Sequence, residues 1–158
     1  MFRKMRRWKQ QLTDEECVAL LKNEPRGVLG LLGDDAYPYT VPMDFIYDEA
    51  AHKLYFHSAK EGHKMDALSK HGKASFCVYD KGYRKDGHWS LNIRSVIVFG
   101  RIAVVADREK ALEKLRALAE KYYPDAETIE KETAAAGSRP ACLEFSIDHM
   151  TGKLVNES

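Results

Sequence analysis

Ser90-Leu91-Asn92-Ile93-Arg94-Ser95-Val96-Ile97-Val98-Phe99-Gly100-Arg101-Ile102-Ala103-Val104-Val105 is an unbroken run of strand-forming sequence, rich in the β-branched side chains that suit a pleated surface. At about 3.3 Å per residue it would span roughly 53 Å, several times an ordinary strand. It must therefore bend. Gly100 is the natural place, because a residue without a Cβ lets another backbone come close at a bulge or barrel corner. A strand of this length serves two surfaces, one inside its own barrel and one against a neighbour.

Upstream of it, Ala74 to Tyr79 reads as a strand, and Lys64 to Lys70 as a short helix stopped by Gly72. Tyr37 to Tyr47 and Lys53 to Ser58 read as two more strands around the polar turn Asp48-Glu49, and Pro38 and Pro42 confine the former to an edge or a bulge. Gly27 to Leu32 is a buried strand closed by Gly33-Asp34-Asp35. Its glycines follow GxxGxxG and no helix comes after them, so the dinucleotide fingerprint GxGxxG is absent. Thr13-Asp14-Glu15-Glu16 is a capping box that starts a first helix with Cys17, Val18, Leu20 and Leu21 on its apolar face; Pro25 ends it. Downstream, Asp107 caps a long helix in which Leu112, Leu115, Leu118, Ala119 and Tyr122 recur at helical spacing before Pro124. Ala126 to Ser138 reads as a polar, weakly helical connection, Leu143 to Ile147 as the last strand and Asp148 to Lys153 as a turn. At least six strands and few helices, joined by short turns, predict a mainly β (α+β) fold: a small closed barrel with helices packed on it.

The 158 residues suit one domain, 1–158, preceded by a basic arm over about residues 1–12. Lys and Arg number 25 against 24 Asp and Glu, and the chain is 44% hydrophobic and 31% charged, which excludes collagen-like, low-complexity and wholly disordered classes. No apolar run approaches the about 18 residues of a membrane span, so the expectation is a cytoplasmic protein with no membrane partner. Cys17, Cys77 and Cys142 form no CxxC and predict neither a zinc ribbon nor a disulfide framework; they read as reduced core thiols. Arg3, Lys4, Arg6, Arg7 and Lys9 could track phosphates, but no basic, aromatic-rich stripe continues them. An arm across a partner subunit is preferred to nucleic-acid binding.

Chemistry concentrates in Leu54-Tyr55-Phe56-His57-Ser58-Ala59-Lys60-Glu61-Gly62-His63-Lys64, where a strand runs through a small cationic loop into a helix N-terminus. Free N–H groups and the positive end of the helix dipole favour a phosphate there. Ser58 offers a hydroxyl, Gly62 a close backbone approach, Lys64 a point charge, and Lys60 and His63 further donors. The spacing is not that of a nucleoside-triphosphate loop. His57 alternates with Phe56 and so faces the opposite side, beside this loop; residue pattern alone leaves it open between a structural and a ligand-contacting role. No HExxH or carboxylate triad suggests a metal, and no GxSxG suggests a hydrolase.

Four segments resemble the pyridoxamine-phosphate-oxidase-like flavin-binding superfamily, and within it the nitroimidazole-resistance branch. They are Tyr37-Pro38-Tyr39-Thr40-Val41-Pro42-Met43, Leu54 to Ala59 with Gly62-His63-Lys64, Arg94 to Gly100, and Phe145 to Lys153. The resemblance spans about Met1 to Lys153 and implies a split β-barrel with flanking helices, a homodimer with FMN at the subunit interface. It implies that Thr40, Val41, Pro42 and Met43 border the isoalloxazine, that His57, Ser58, Ala59, Gly62, His63 and Lys64 hold the phosphate side, and that Arg94, Ser95 and Val96 approach from the long strand. His57 becomes the candidate catalytic residue, for substrate contact or proton delivery. Met150 stands where some relatives carry tryptophan, which implies altered substrate fit.

The implied activity is that of an FMN-dependent oxidoreductase in which NAD(P)H and a small acceptor such as a nitroaromatic visit one open flavin face in turn. The alternatives are a non-catalytic FMN- or haem-binding carrier or sensor of the same barrel type, and pyridoxamine-phosphate oxidation.

Overall fold

In the computed structural model, which describes residues 1–137 and 139–156, the first helix begins where the capping box places it. The Glu16 N–H donates to the Thr13 hydroxyl at 3.3 Å and the Thr13 N–H donates to the Glu16 carboxylate at 2.8 Å, opening α1 (Asp14–Asn23). Cys17, Leu20 and Leu21 are buried against the sheet, and Pro25 follows the last turn.

Seven strands form one antiparallel sheet. They are β1 (Arg26–Leu32), β2 (Pro38–Asp44), β3 (Ile46–Asp48), β4 (Lys53–Ser58), β5 (Lys73–Tyr79), β6 (Asn92–Val104) and β7 (Ala141–Asn156), in the order β2-β1-β5-β6-β7-β4-β3. β2 and β3 are the two edges, yet only Phe45 separates them in the chain. The sheet must therefore curl nearly full circle, and the barrel is split between these edges rather than closed. This corrects two expectations at once, the closed barrel and the single strand from Tyr37 to Tyr47. Phe45 joins no ladder: its N–H donates to the Tyr122 hydroxyl at 2.8 Å, the same hydroxyl donates to its carbonyl at 2.8 Å, and its ring is fully buried.

The long strand bends where expected. Phe99 pairs with His149 but Gly100 pairs with Ile147, so Asp148 is left over as a bulge. A Cβ at residue 100 would lie 2.0 Å from the Ser146 carbonyl oxygen and 2.6 Å from a Phe145 ring carbon. Asp148 to Lys153, expected as a turn, continues β7 instead, because β6 is long enough to pair with it as far as Asn156. The Gly152 carbonyl also accepts from the Leu12 N–H at 3.0 Å. Inside the curl, Leu29, Phe56, Phe76, Val98 and Phe145 are fully buried.

α2 (His63–Lys70) follows β4, and α3 (Arg108–Tyr122) is capped by Asp107, whose carboxylate accepts from the Glu109 and Lys110 N–H groups. The polar stretch after it is a full helix, α4 (Ala126–Ala136), capped by Asp125. Charged groups anchor α3 to the outward side of the sheet. Glu144 accepts from Lys53 at 2.6 Å, Lys110 at 2.5 Å and the Tyr55 hydroxyl at 3.0 Å, while Lys114 reaches Asp48 at 3.1 Å. Partial burial pushes the Glu144 carboxyl up, but these three donors outweigh it and hold the group at about 2. All three cysteines are free. Burial first, then neighbouring carboxylates, pushes the Cys17 and Cys142 thiols up to about 11. No described helix is long and apolar enough to cross a membrane.

Candidate functional site

β2 forms one edge of the split, β4 lies just inside the other edge, β3, and runs on past it, and α2 begins next to both β2 and β4. Alternation decides what each strand presents. On β2, Met43 is buried and Val41 half-buried, while Thr40 and Pro42 are exposed on the outward side. On β4, Phe56 and Ser58 turn inward and His57 outward, as the sequence implies. Gly62, at φ 106°, carries the chain from the loop into α2 with open space where a side chain would stand.

These elements enclose a cleft of about 450 Å³ bordered by Val41, Pro42 and Met43 from β2, His57, Ser58 and Ala59 from β4, and Lys64 from α2. Seven residues from three separate segments of the sequence thus meet. Lys64 is half-buried; its ammonium lies 3.4 Å from the Met43 sulfur, and no carboxylate pairs with it among the described residues. Burial lowers its pKa. A cation held this way, beside first-turn N–H groups of α2 that have no intrahelical acceptor, fits an anion. The Met65 and Asp66 N–H groups are already taken by the Gly62 carbonyl, at 2.8 and 3.0 Å. Apolar walls from Val41, Pro42 and Met43 complete a slot suited to a flat ring carrying a phosphate tail.

Two cleft residues escaped the sequence reading. Arg26 and Asp44 are register partners at the ends of β1 and β2, and their side chains pair at 2.6 Å. Only the strand register brings them together, and no local pattern marks either.

Other expected site residues lie elsewhere. The Ser58 hydroxyl is buried and donates to the Met65 sulfur at 3.7 Å. His63 turns back over the β1–β2 connection, stacked on Tyr39 at 4.1 Å with its Nε2 3.6 Å from the Asp34 carboxylate. Lys60 borders an adjoining groove with Ala59, Glu61 and Pro140. Arg94, Ser95 and Val96 sit on β6, two strands from β4 and three from β2, and do not border the cleft of their own chain. Arg94 pairs with the buried Asp80 at 2.8 Å, Val96 is fully buried, and Ser95 lies on the outward face between Tyr79 and Lys153. His57 is exposed, and neither ring nitrogen has a hydrogen-bond partner among the described residues.

The outward face carries apolar groups in register. Pro42, Val28, Cys77 and Ile97 line up across β2, β1, β5 and β6, with Phe99 one step further along β6. Ile97 and Phe99 are 39% and 40% exposed. Phe2, from the N-terminal arm, stacks on His149 at 4.4 Å and approaches Phe99 at 5.7 Å, so the arm starts out along its own sheet.

A sequence profile described as pyridoxamine 5'-phosphate oxidase matches residues 13–154. No curated protein matches the chain. Among solved structures, a candidate 5-nitroimidazole antibiotic resistance protein from Bacteroides thetaiotaomicron superposes with a TM-score of 0.78 at 19% identity, over 92% of this chain and 87% of its own. An FAD and heme binding protein from Mycobacterium smegmatis superposes at 0.71 with 25% identity, over 94% and 74%. An FAD-binding protein from Mesorhizobium loti does so at 0.65 with 23% identity, over 92% and 97%. These likenesses agree with the split-barrel reading of the fold.

Proposed function

The chain belongs to the pyridoxamine 5'-phosphate oxidase family, and from that premise we propose that it is a flavin-dependent oxidoreductase. It binds FMN in the cleft between β2, β4 and α2, acts as a homodimer, and passes electrons from NAD(P)H to a small organic acceptor such as a nitroaromatic. The observation that carries this reading is the half-buried ammonium of Lys64, with no carboxylate partner among the described residues, facing an apolar cleft at a helix N-terminus. A buried cation without a counter-charge is unfavourable in the empty protein and is relieved by an anionic ligand.

When bound, the flavin supplies the two-electron chemistry that no side chain provides. The chain's own residues do the rest. Lys64 and the first turn of α2 hold the phosphate. Val41, Pro42 and Met43 wall the ring and keep water from it. His57, with neither ring nitrogen bonded among the described residues, donates a hydrogen bond or a proton to the acceptor. The apolar row Pro42, Val28, Cys77 and Ile97 supports pairing with a second copy, since water-exposed apolar area is removed when two such faces meet. In that pairing the partner would present Arg94 and Ser95 of β6, which one chain keeps away from its own cleft, while Val96 stays in the core of its own chain.

The test is the visible spectrum of the purified protein. A flavin spectrum, anaerobic bleaching on addition of NADH or NADPH, and a dimer in sedimentation are expected; Lys64→Ala should lose the chromophore while keeping its fold. Flavin retained in that variant refutes the assignment. The likeness to an FAD and heme binding protein favours one second reading, a carrier without turnover, which a Soret band and no donor-dependent bleaching would reveal.

A further inference from the structure

Beside the flavin cleft, between α3, α4 and the outward side of β4, lies a recess of about 180 Å³. Leu112, Leu115, Leu118, Ala119 and Tyr122 of α3 wall it. These residues recur at helical spacing along one face, yet Leu112 is 46% exposed and only Leu118 of the five is buried. α3 therefore leaves part of its apolar stripe uncovered, over a concave space. His57 and Asp44 close the end of this recess, and the same two residues border the cleft. Asp44 accepts from Arg26 at 2.6 Å and as a carboxylate offers no donor, so His57 is the donor at this end.

We propose that this recess is a second binding site, the subsite of the electron acceptor. It takes an uncharged, single-ring aromatic molecule whose hydrogen-bond acceptor points at His57. Size sets the class of ligand. An apolar cavity of about 150 Å³ admits benzene, so a recess of about 180 Å³ has room for one substituted ring. Polarity sets the orientation: the leucine surfaces of α3 welcome the ring, Glu132 and Thr133 bring polar groups on the α4 side, and at the cleft end it is His57 that meets a polar substituent. Shared residues set the role, since a ring held there carries its polar end to the border of the cleft. That role rests on the flavin reading above; binding in the recess does not.

The experiment uses the full chain, with and without FMN, titrated with acetophenone as the probe and toluene as its apolar counterpart, followed by NMR. Saturable acetophenone binding is expected, with shifts confined to His57 and the recess face of α3, and toluene should bind at least about fivefold more weakly. Ala119→Leu narrows the recess and should weaken acetophenone at least tenfold while FMN affinity stays within twofold. His57→Leu should abolish the preference for acetophenone over toluene. Acetophenone failing to bind while FMN binds overturns the recess proposal and leaves the flavin reading intact. Acetophenone binding to a protein that takes no FMN overturns the acceptor role along with the flavin reading. Unchanged acetophenone affinity in a folded Ala119→Leu overturns the location.

Discussion

Replacing Lys64 by methionine should move two measurements in opposite directions. Methionine keeps an unbranched chain of similar reach but has no charge. One charge-assisted contact to a phosphate is worth about 1.5–3 kcal/mol, so FMN affinity should fall roughly 10- to 150-fold. Without flavin the sign reverses. Burial depresses the Lys64 pKa, which means that the unfolded chain holds this proton more readily than the folded one. At neutral pH the ammonium therefore subtracts from stability; the penalty is full below the folded pKa and lessens as pH rises through it toward the ordinary lysine range. Removing it should stabilise the flavin-free protein by up to about 1 kcal/mol, allowing for the water that still reaches the group. For a chain of this length that is about 2–4 °C in Tm. Thermal unfolding of the flavin-free protein at pH 7 and pH 9.5 and flavin-fluorescence titration provide the two readings. If Lys64→Met unfolds earlier and binds FMN as tightly as before, Lys64 is a packing residue and the anion-site argument is wrong.

Glu144→Gln should lower stability at pH 7 by about 1–3 kcal/mol in urea unfolding, because the wild-type carboxyl is held at about 2 by its three donors. This contribution is complete above about pH 4.5, the ordinary glutamate range, and is lost as pH falls to about 2, so the two unfolding curves should converge in acid; a constant gap would contradict the cause assigned. Gly100→Ala places a methyl 2.0 Å from the Ser146 carbonyl oxygen. It should lose about 3 kcal/mol or more or fail to accumulate as folded protein, and a variant within about 1 kcal/mol of wild type would show that the β6–β7 bulge can relax.

Much of the architecture was legible because it depends on neighbours in the chain. Thr13 and Glu16 cap α1 through bonds spanning three residues, Asp107 caps α3, Pro38 and Pro42 keep β2 at an edge, and Gly100 locates the bend. The alternation that turns His57 away from Phe56 is likewise local. Asp148 to Lys153 looks like a turn because of its Gly and Asp, while its strand character comes from β6, some 50 residues away. Phe45 interrupts an apparently continuous strand for a similar reason: its backbone is claimed by Tyr122. Arg26 and Asp44 carried no mark at all until the register of β1 on β2 joined them.

Local chemistry along the chain settles the kinds of element, most of their ends, and the segment in which an anion could be received. Three-dimensional closure settles which of the nominated residues share one space. Curling brings the two ends of a seven-stranded sheet to either side of Phe45, so Val41, Met43, His57 and Lys64 become neighbours. The same curl turns His63 onto Tyr39 and holds Arg94 to Val96 on strands away from the cleft. Those outcomes depend on contacts between residues far apart in the chain, which nearest-neighbour preferences do not encode.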